Sequence, residues 1–265
     1  MGNLFFPQLM SGALAQYPIR KALEMRTVKN ALSDGNMFLY SDPNGCRMIW
    51  HLEYAELSDA DLQMLEAHFA NCQGTFRAFT FIDPTENMLV SSSNLLNSPW
   101  QRLSALQIVS GVPDPVGGTG AFSLTNTSQA TEQLQQTLVV PAGYQYCLSA
   151  YVRSSYATNL LLSRAGASVS DTRTYAVGQN WIRISSSGRI SDSGTTFTVG
   201  IGIHPGQTVE IYGVQLEAQI APSRFRPTTT RGGVYANAHF AVDEFPVIAE
   251  APGLFSTALI IEATV

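Results

Sequence analysis

The stretch that decides the fold is residues 46–82, CRMIWHLEYAELSDADLQMLEAHFANCQGTFRAFTFI. Residues 46–54 alternate between apolar and polar side chains, which is typical of a strand that is buried on one face. Ser58 then stands where a helix N-cap belongs, with an acidic residue three positions later, and Gly74 stands where the helix should end. Residues 75–82 are rich in aromatic side chains. The stretch therefore predicts a strand, a helix and a second strand.

Upstream of this stretch the sequence predicts a hairpin. Residues 37–41 have the composition of a strand, and Asp42-Pro43-Asn44-Gly45 is a typical turn sequence. We expect the chain to turn at 42–45, so that the strand at 37–41 pairs with the strand that begins at Cys46.

The middle of the chain, residues 92–226, predicts a β-sandwich. Short alternating segments are separated there by Gly, Ser and Asn, and no helical pattern occurs. Residues 144–152 and 197–203 alternate clearly. A third segment begins at Val209 and changes phase at Val214, which indicates a β-bulge.

The last ten residues, STALIIEATV at 256–265, have a strong strand pattern but no obvious partner in a complete sandwich. We expect this strand to pair with one from residues 37–82, because neither segment completes a sheet alone. The predicted fold is mainly β. It has a split β-barrel or sandwich domain with one helix, formed by residues 1–91 and 227–265, and a second β-sandwich, 92–226, inserted at an exposed loop.

Composition limits the classes of function. Charged residues make up 13% of the chain, about half the usual share, and the net charge is −5. This fits either a surface that partners cover or an extracellular β-protein with a Ser, Thr, Asn and Gln surface. Only Lys21 and Lys29 are lysines and no basic stripe is present, so we expect no nucleic-acid binding. No apolar run is long enough to predict membrane insertion.

The cysteines predict buried free thiols. Cys46, Cys72 and Cys147 are an odd number without CxxC spacing, so a disulfide scaffold or a zinc site is not expected. Free thiols suit assembly in a reducing cytoplasm. The N-terminal residues lack the basic segment of a signal peptide, and we expect none.

Residues 50–83 resemble the N-terminal domain of bacteriophage distal-tail and minor tail proteins. The resemblance lies in the order strand, helix, strand, with a helix that ends in an aromatic and glycine pattern. The second strand closes with the pattern F-x-F-x-D, here residues 79–83. The pattern covers about a third of the discontinuous domain.

Residues 94–228 resemble the carbohydrate-binding-like jelly rolls of phage tail and head-fibre proteins. The matching segments are NLLNSPW at 94–100, the segment 114–124, WIR at 181–183, and a closing motif that runs from GVQLE at 213–217 to Thr228. The closing motif is the most specific of these. The sequence departs from the pattern in having Tyr212 where tryptophan is usual and Ser223-Arg224 in place of Thr-Ser.

Together the resemblances imply a distal-tail protein with an inserted carbohydrate-binding-like jelly roll. Such proteins form rings, most often hexamers, in the virion tail, between the tail tube protein and the tail hub or tip proteins. The chain would then be structural rather than an enzyme, assembled in the host cytoplasm, with a sandwich that assists attachment to a host surface glycan. The alternative is a carbohydrate-binding adhesin or an accessory module of a surface-acting enzyme.

The sequence contains no pattern that predicts a catalytic residue. The four histidines lie in separate predicted elements without metal-ligand spacing, and no Gly-x-Ser-x-Gly sequence is present. Acidic residues are scattered through the predicted sandwich, and nothing singles out the pair that a glycosidase needs. We therefore expect no cofactor and no metal, with Asp114 as a weak candidate ligand of a structural calcium ion.

Tyr151 and Tyr156 are the predicted ligand-binding residues. Tyr151 lies on the strand face opposite Tyr144 and Tyr146, and Tyr156 follows in the next turn, so both rings are expected to be exposed for stacking on a sugar. Four aromatic residues are expected in the core: Tyr144, Tyr146, Trp100 and Trp181.

Overall fold

The computed structural model describes residues 3–265, except for the side chain of Pro43. The protein is mainly β, as predicted, with one helix among the described residues. The elements in chain order are β1 (Arg20–Ala31), β2 (Met37–Leu57), α1 (Asp59–Cys72), β3 (Phe79–Ile82), β4 (Leu106–Val112), β5 (Ala121–Asn126), β6 (Glu132–Leu138), β7 (Tyr146–Arg153), β8 (Thr158–Ala165), β9 (Ser170–Val177), β10 (Ile182–Gly188), β11 (Phe197–Ile203), β12 (Thr208–Glu217), β13 (Val234–Phe240), β14 (Ile248–Ala251) and β15 (Leu254–Thr264). No helix in this part of the chain has the length and hydropathy needed to cross a lipid bilayer.

The chain forms two compact units. Residues 3–81 and 235–265, here called the terminal unit, come from both ends of the chain, and Ile82–Val234 form the inserted unit. The sequence placed these boundaries at 91/92 and 226/227. Residues 82–91 and 227–234 belong instead with the inserted unit, because their backbones bond to each other and to β12: Ser91 N–H donates to Thr229 O at 2.7 Å, and Met88 N–H donates to Leu216 O at 2.8 Å.

The terminal unit is built on one sheet with the strand order β1-β2-β15-β13-β3, and β14 pairs with β15. The predicted pairing of the C-terminal strand is confirmed: β15 runs antiparallel to β2, with Ile261 opposite Trp50. The Trp50 side chain is fully buried, and its ring packs 4.9 Å from Phe81 and 4.6 Å from Tyr235 between centroids. The core of this unit therefore unites residues from both ends of the chain.

Helix α1 begins where the sequence predicts. The Ser58 hydroxyl oxygen accepts a hydrogen bond from the Asp61 N–H, and the hydroxyl donates to the Asp61 carboxylate at 2.8 Å. At the other end Gln73 is the first left-handed residue, with φ 55°, and Gly74 follows with φ 63°. A side chain at Gly74 would meet the Asp243 carboxylate, which accepts the Thr75 N–H at 2.7 Å.

The predicted turn at residues 42–45 is wrong. Strand β2 continues through it to Leu57, because β1 pairs with β2 on both sides of this stretch: Arg26 pairs with Asp42 and Glu24 pairs with Arg47. The extra residues form a β-bulge opposite Met25. The chain reverses instead between β1 and β2, where the Leu32 N–H donates to Asn36 O and the Asp34 carboxylate accepts the Asn36 N–H.

The predicted strand at 75–82 is shorter than expected. Only Phe79–Ile82 forms β3, because the chain first folds back on the end of α1, where the Arg77 N–H donates to Cys72 O at 2.9 Å. The helix also buries His68 rather than Phe69, which is half-buried.

The inserted unit is a jelly-roll β-sandwich, as expected. One sheet has the order β10-β7-β12-β5-β4 and the other β6-β11-β8-β9, and the apolar faces of both form the core. The predicted bulge in β12 is confirmed by a register shift between Tyr212 and Gln215. Asp83 N–H donates to Gly233 O at 2.9 Å, so the chain enters and leaves this unit at neighbouring points.

We predict that acid weakens the terminal unit through His68. This imidazole packs against the rings of Phe6, Phe79 and Phe240, and burial lowers its pKa from 6.5 to about 4. The unfolded chain takes up a proton below pH 6.5 while the folded chain does not, so stability falls from about pH 6.5 to pH 4 and then levels off. The loss is up to ~3 kcal/mol.

Urea unfolding at pH 7.5, 5.5 and 4 measures this effect, with Trp50 fluorescence isolated in a Trp100→Phe/Trp181→Phe background. His68→Phe should flatten the pH dependence, whereas His51→Gln, at an exposed position on β2, should leave it unchanged. An equally steep dependence in His68→Phe would contradict the prediction.

Candidate functional site

The candidate site lies on the solvent-facing side of the five-stranded sheet of the inserted unit. Tyr151 on β7 and Tyr212 on β12 are direct cross-strand neighbours, and both are half-buried while Val152 and Ile211 beside them point into the core. Their ring centroids are 6.1 Å apart, with an angle of 52° between the planes. The sheet thus presents two adjacent tyrosine rings on one face.

A third ring comes from a segment that we call the strap, residues 222–228. Phe225 packs edge-on against Tyr212 with the ring centroids 5.3 Å apart. Gly213 makes this approach possible: its φ is 64°, and a Cβ there would lie 3.1 Å from Phe225 and 3.3 Å from Tyr151. The β12 bulge, this glycine and the strap together shape a cavity of about 490 Å³.

Two buried polar side chains of β12 hold the strap in place. The Gln215 amide accepts the Arg226 N–H at 2.8 Å and donates to the carbonyls of Ser223 and Arg224, both at 3.4 Å. Glu217, fully buried, accepts the Ser223 N–H at 3.0 Å and also accepts from the Ser223 hydroxyl. These contacts give the closing sequence motif at 213–228 a structural role.

Asp114 organises a loop that lines the cavity. Its carboxylate accepts the backbone N–H groups of Val116, Gly118 and Gly120 at 2.8–2.9 Å, and these hydrogen bonds, led by that of Gly120, lower its pKa. Both carboxylate oxygens are engaged in this way. Across the described residues, no group of three or more His, Cys, Asp and Glu side chains is placed to hold a metal ion.

The cavity is lined by aromatic rings, by one acidic side chain, Asp114, and by one basic side chain, Arg224. Burial raises the pKa of Tyr212, the nearby Asp114 carboxylate and Tyr151 raise it further, and Arg224 opposes them. The Tyr212 hydroxyl is therefore a neutral hydrogen-bonding group at ordinary pH. The lining residues are Ser92, Ser93, Asp114, Val116, Gly120, Tyr151, Tyr212, Gly213, Arg224, Phe225 and Pro227.

The structure separates the two predicted ligand-binding residues. Tyr151 lines the cavity, where the Arg183 guanidinium lies 5.2 Å from its ring centroid. Tyr156 is 82% exposed in the bend after β7 and is not among the lining residues. Tyr212 was not among the predicted site residues, although its place in the closing motif, where tryptophan is usual, is a signal that marks an aromatic position there.

Of the four aromatic residues expected in the core, Tyr146 and Trp100 are buried and Tyr144 is half-buried. Trp181, which precedes the edge strand β10, is likewise half-buried, with the Arg153 guanidinium 4.8 Å from its ring centroid. The core prediction is therefore wrong for both Tyr144 and Trp181.

Comparison with known proteins gives similarity of structure only. No protein family matches the sequence, and no curated protein matches it. The enzymatically active domain of tailspike protein 4 of bacteriophage CBA120 aligns with 52% of this chain at 16% identity and a TM-score of 0.42. The alignment covers 22% of that tailspike chain.

Two carbohydrate-binding modules are also similar. The CBM22-1 xylan-binding domain of Paenibacillus barcinonensis Xyn10C aligns with 53% of this chain at 12% identity, over 97% of its own length, with a TM-score of 0.41. The module TmCBM61, solved with β-1,4-galactotriose, aligns with 49% of this chain at 15% identity, over 97% of its own length, with a TM-score of 0.37. Such values assign the chain to none of these families.

We predict that Gln215→Ala destabilises the inserted unit by ~1–3 kcal/mol, because the change removes three part-buried hydrogen bonds that fix the strap. Urea unfolding measures the loss. Gln107→Ala, at an exposed position on β4, is the control. A loss in Gln215→Ala no larger than that of the control would show that the strap is held by other contacts.

Proposed function

We propose that the inserted unit binds a saccharide in the cavity formed by Tyr151, Tyr212 and Phe225. The observation that carries this proposal is the convergence of three aromatic rings on a cavity with a volume of about 490 Å³, which polar groups also line. Ligand sites in proteins typically have this composition, mostly apolar with a few placed polar groups. The C–H faces of a sugar ring pack on aromatic side chains, and its hydroxyls take up the hydrogen bonds.

The polar groups suit a ligand that is rich in hydroxyls. Arg224 donates only, and the Tyr212 hydroxyl both donates and accepts, whereas the hydroxyls of Ser92 and Ser93 hydrogen-bond to Thr228 and so hold the strap. Asp114 is already occupied by backbone amides, so its role is to hold the cavity wall.

The site favours binding over catalysis. Hydrolysis of a glycosidic bond uses two carboxyl groups about 5–10 Å apart. Asp114 is the one carboxylate among the residues that line the cavity, and it serves the loop. We therefore propose a binding protein and not an enzyme.

A glycan array, probed with the full chain displayed on beads, tests saccharide binding. Multivalent display compensates for weak single sites by a factor of about 10² to 10⁴. Tyr151→Ala and Tyr212→Ala should each lower binding about tenfold, because each removes a stacking surface. Tyr156→Ala, at an exposed ring outside the cavity, is the matched control.

Binding that survives both cavity variants but is lost in Tyr156→Ala would place the site in the bend after β7. Absence of binding to any host polysaccharide, with the cavity variants indistinguishable from the parent, would refute the proposal. Circular dichroism of each variant checks that the fold is intact.

We further propose that the chain is a structural component of a phage tail tip, a distal-tail ring between the tail tube and the host-recognition apparatus. The support is the resemblance of residues 50–83 together with the placement of the sandwich as an insertion. Its proposed partners are other copies of itself, the tail tube protein and the tail hub or tip proteins. An adhesin or an enzyme accessory module is the alternative, for which the cavity alone would suffice.

Assembly should then depend on the terminal unit. A variant in which a short Gly/Ser linker joins Phe81 to Tyr235 should sediment as the same oligomer as the full chain, and negative-stain electron microscopy should show a ring for both. Antibodies against the inserted unit should label the tail tip of the virion. A monomeric terminal unit beside an oligomeric inserted unit would reverse the assignment.

A further inference from the structure

The terminal unit carries a long hairpin that nothing in its own sheet covers. We call residues 20–42 the hairpin arm; it consists of β1 and the first part of β2. All twelve residues of β1 are exposed, and within the described residues β1 pairs with β2 and with no other strand. An isolated two-stranded ribbon is marginally stable in water, so an arm of this length implies a further contact.

Both faces of the hairpin arm carry exposed apolar side chains. The register places Val28, Phe38 and Tyr40 on one face, where the Phe38 and Tyr40 rings stack with centroids 6.4 Å apart. Met37 and Leu39 lie on the other face, and each is about 60% exposed. Eight of the exposed large apolar side chains of the described chain fall between residues 23 and 40. Concentrated apolar surface of this kind marks an interaction site.

The arm is slightly basic, whereas the rest of the chain is acidic. The arm has four basic residues, among them both lysines of the chain, and three acidic residues, of which Asp42 lies 3.6 Å from Arg26. The rest of the chain has 11 basic and 17 acidic residues. A second copy of this chain therefore offers the opposite charge.

A matching surface lies in the same terminal unit. A groove of about 370 Å³, here called the base groove, is lined among others by Tyr17, Pro18 and Ile248. The exposed Glu53 lies on its wall, and the exposed Glu250 sits beside it, where its carboxylate accepts the Ser256 hydroxyl at 2.8 Å. Tyr17 is 69% exposed and Ile248 is 62% exposed. The base groove thus combines apolar walls with acidic side chains.

The arm cannot reach the base groove of its own chain. Pro18 stands two residues before the start of β1, so the groove lies at the base of the hairpin, whereas the exposed rings lie near its tip. Twelve residues of extended strand span ~40 Å. The groove that receives the tip belongs to another copy.

We infer that the hairpin arm of one copy docks in the base groove of a second copy, head to tail. This inference deepens the structural role proposed above and names the contact that links neighbours. The same two surfaces recur on every copy, and such a heterologous contact closes into a ring when its rotation permits. Docking also covers the unpaired edge of β1, which would otherwise promote uncontrolled strand pairing.

Sedimentation velocity of the full chain over a range of concentrations tests the inference. The arm variant is Phe38→Ser/Leu39→Ser, one change on each face, and the groove variant is Tyr17→Ser/Ile248→Ser. The control, Val109→Ser/Val139→Ser, removes two comparably exposed apolar side chains from the inserted unit. The parent and the control should form the same oligomer, whereas the arm and groove variants should each associate at least tenfold more weakly. Thermal unfolding checks that each variant is folded.

The decisive sample is a 1:1 mixture of the arm and groove variants. Each retains the surface that the other lacks, so the mixture should form dimers although neither variant does so alone. An arm variant that assembles like the parent would overturn the inference and leave the proposed ring intact. A groove variant that assembles normally beside a monomeric arm variant would overturn the base groove as the docking site. A parent chain that is monomeric at every concentration would remove the ring itself.

Discussion

The pairing of β15 with β2 is the interaction on which the rest of the structure depends. It joins the last strand of the chain to a strand formed by residues 37–57, with Ile261 opposite Trp50. Because residues before Phe81 and after Tyr235 form one sheet, the chain must leave the terminal unit after Phe81 and return to it at Tyr235. The sandwich is therefore an insertion because long-range strand pairs, β2 with β15 and β3 with β13, join the two ends of the chain, and the buried Trp50 ring unites both halves in one core.

Local patterns in the sequence predicted those parts of the fold in which local interactions decide. The Ser58 cap, the helix, the bulge after Tyr212 and the terminal strand all have signals within a few residues of where they occur. The prediction of a turn at 42–45 failed because these residues also suit a β-bulge. Pairing with β1, which the local sequence does not show, selects the bulge. Strand β1 was not recognised, since all of its side chains face water and no burial pattern marks it.

In the candidate site too, the sequence predicts what local pattern decides and not what long-range contacts decide. Tyr151 could be identified by strand alternation, because the neighbouring residue Val152 faces the core. For Tyr212 the closing motif marks an aromatic position, but its pairing with Tyr151 and its contact with Phe225 depend on the bulge and on the strap, which the sequence pattern does not position. The sequence also placed Tyr156 in the turn after this strand, but whether a turn residue lines the cavity depends on the fold, and Tyr156 does not line it.

The hydrogen bond between Asp83 and Gly233 has a consequence for how such chains diversify. It holds the points where the chain enters and leaves the inserted unit next to each other. A short linker could therefore join the two parts of the terminal unit at this point. Any domain whose own ends lie that close can replace the sandwich by recombination without disturbing the packing around Trp50. Residues 82–234 therefore form a unit whose replacement would leave the strand pairing of the terminal sheet unaltered.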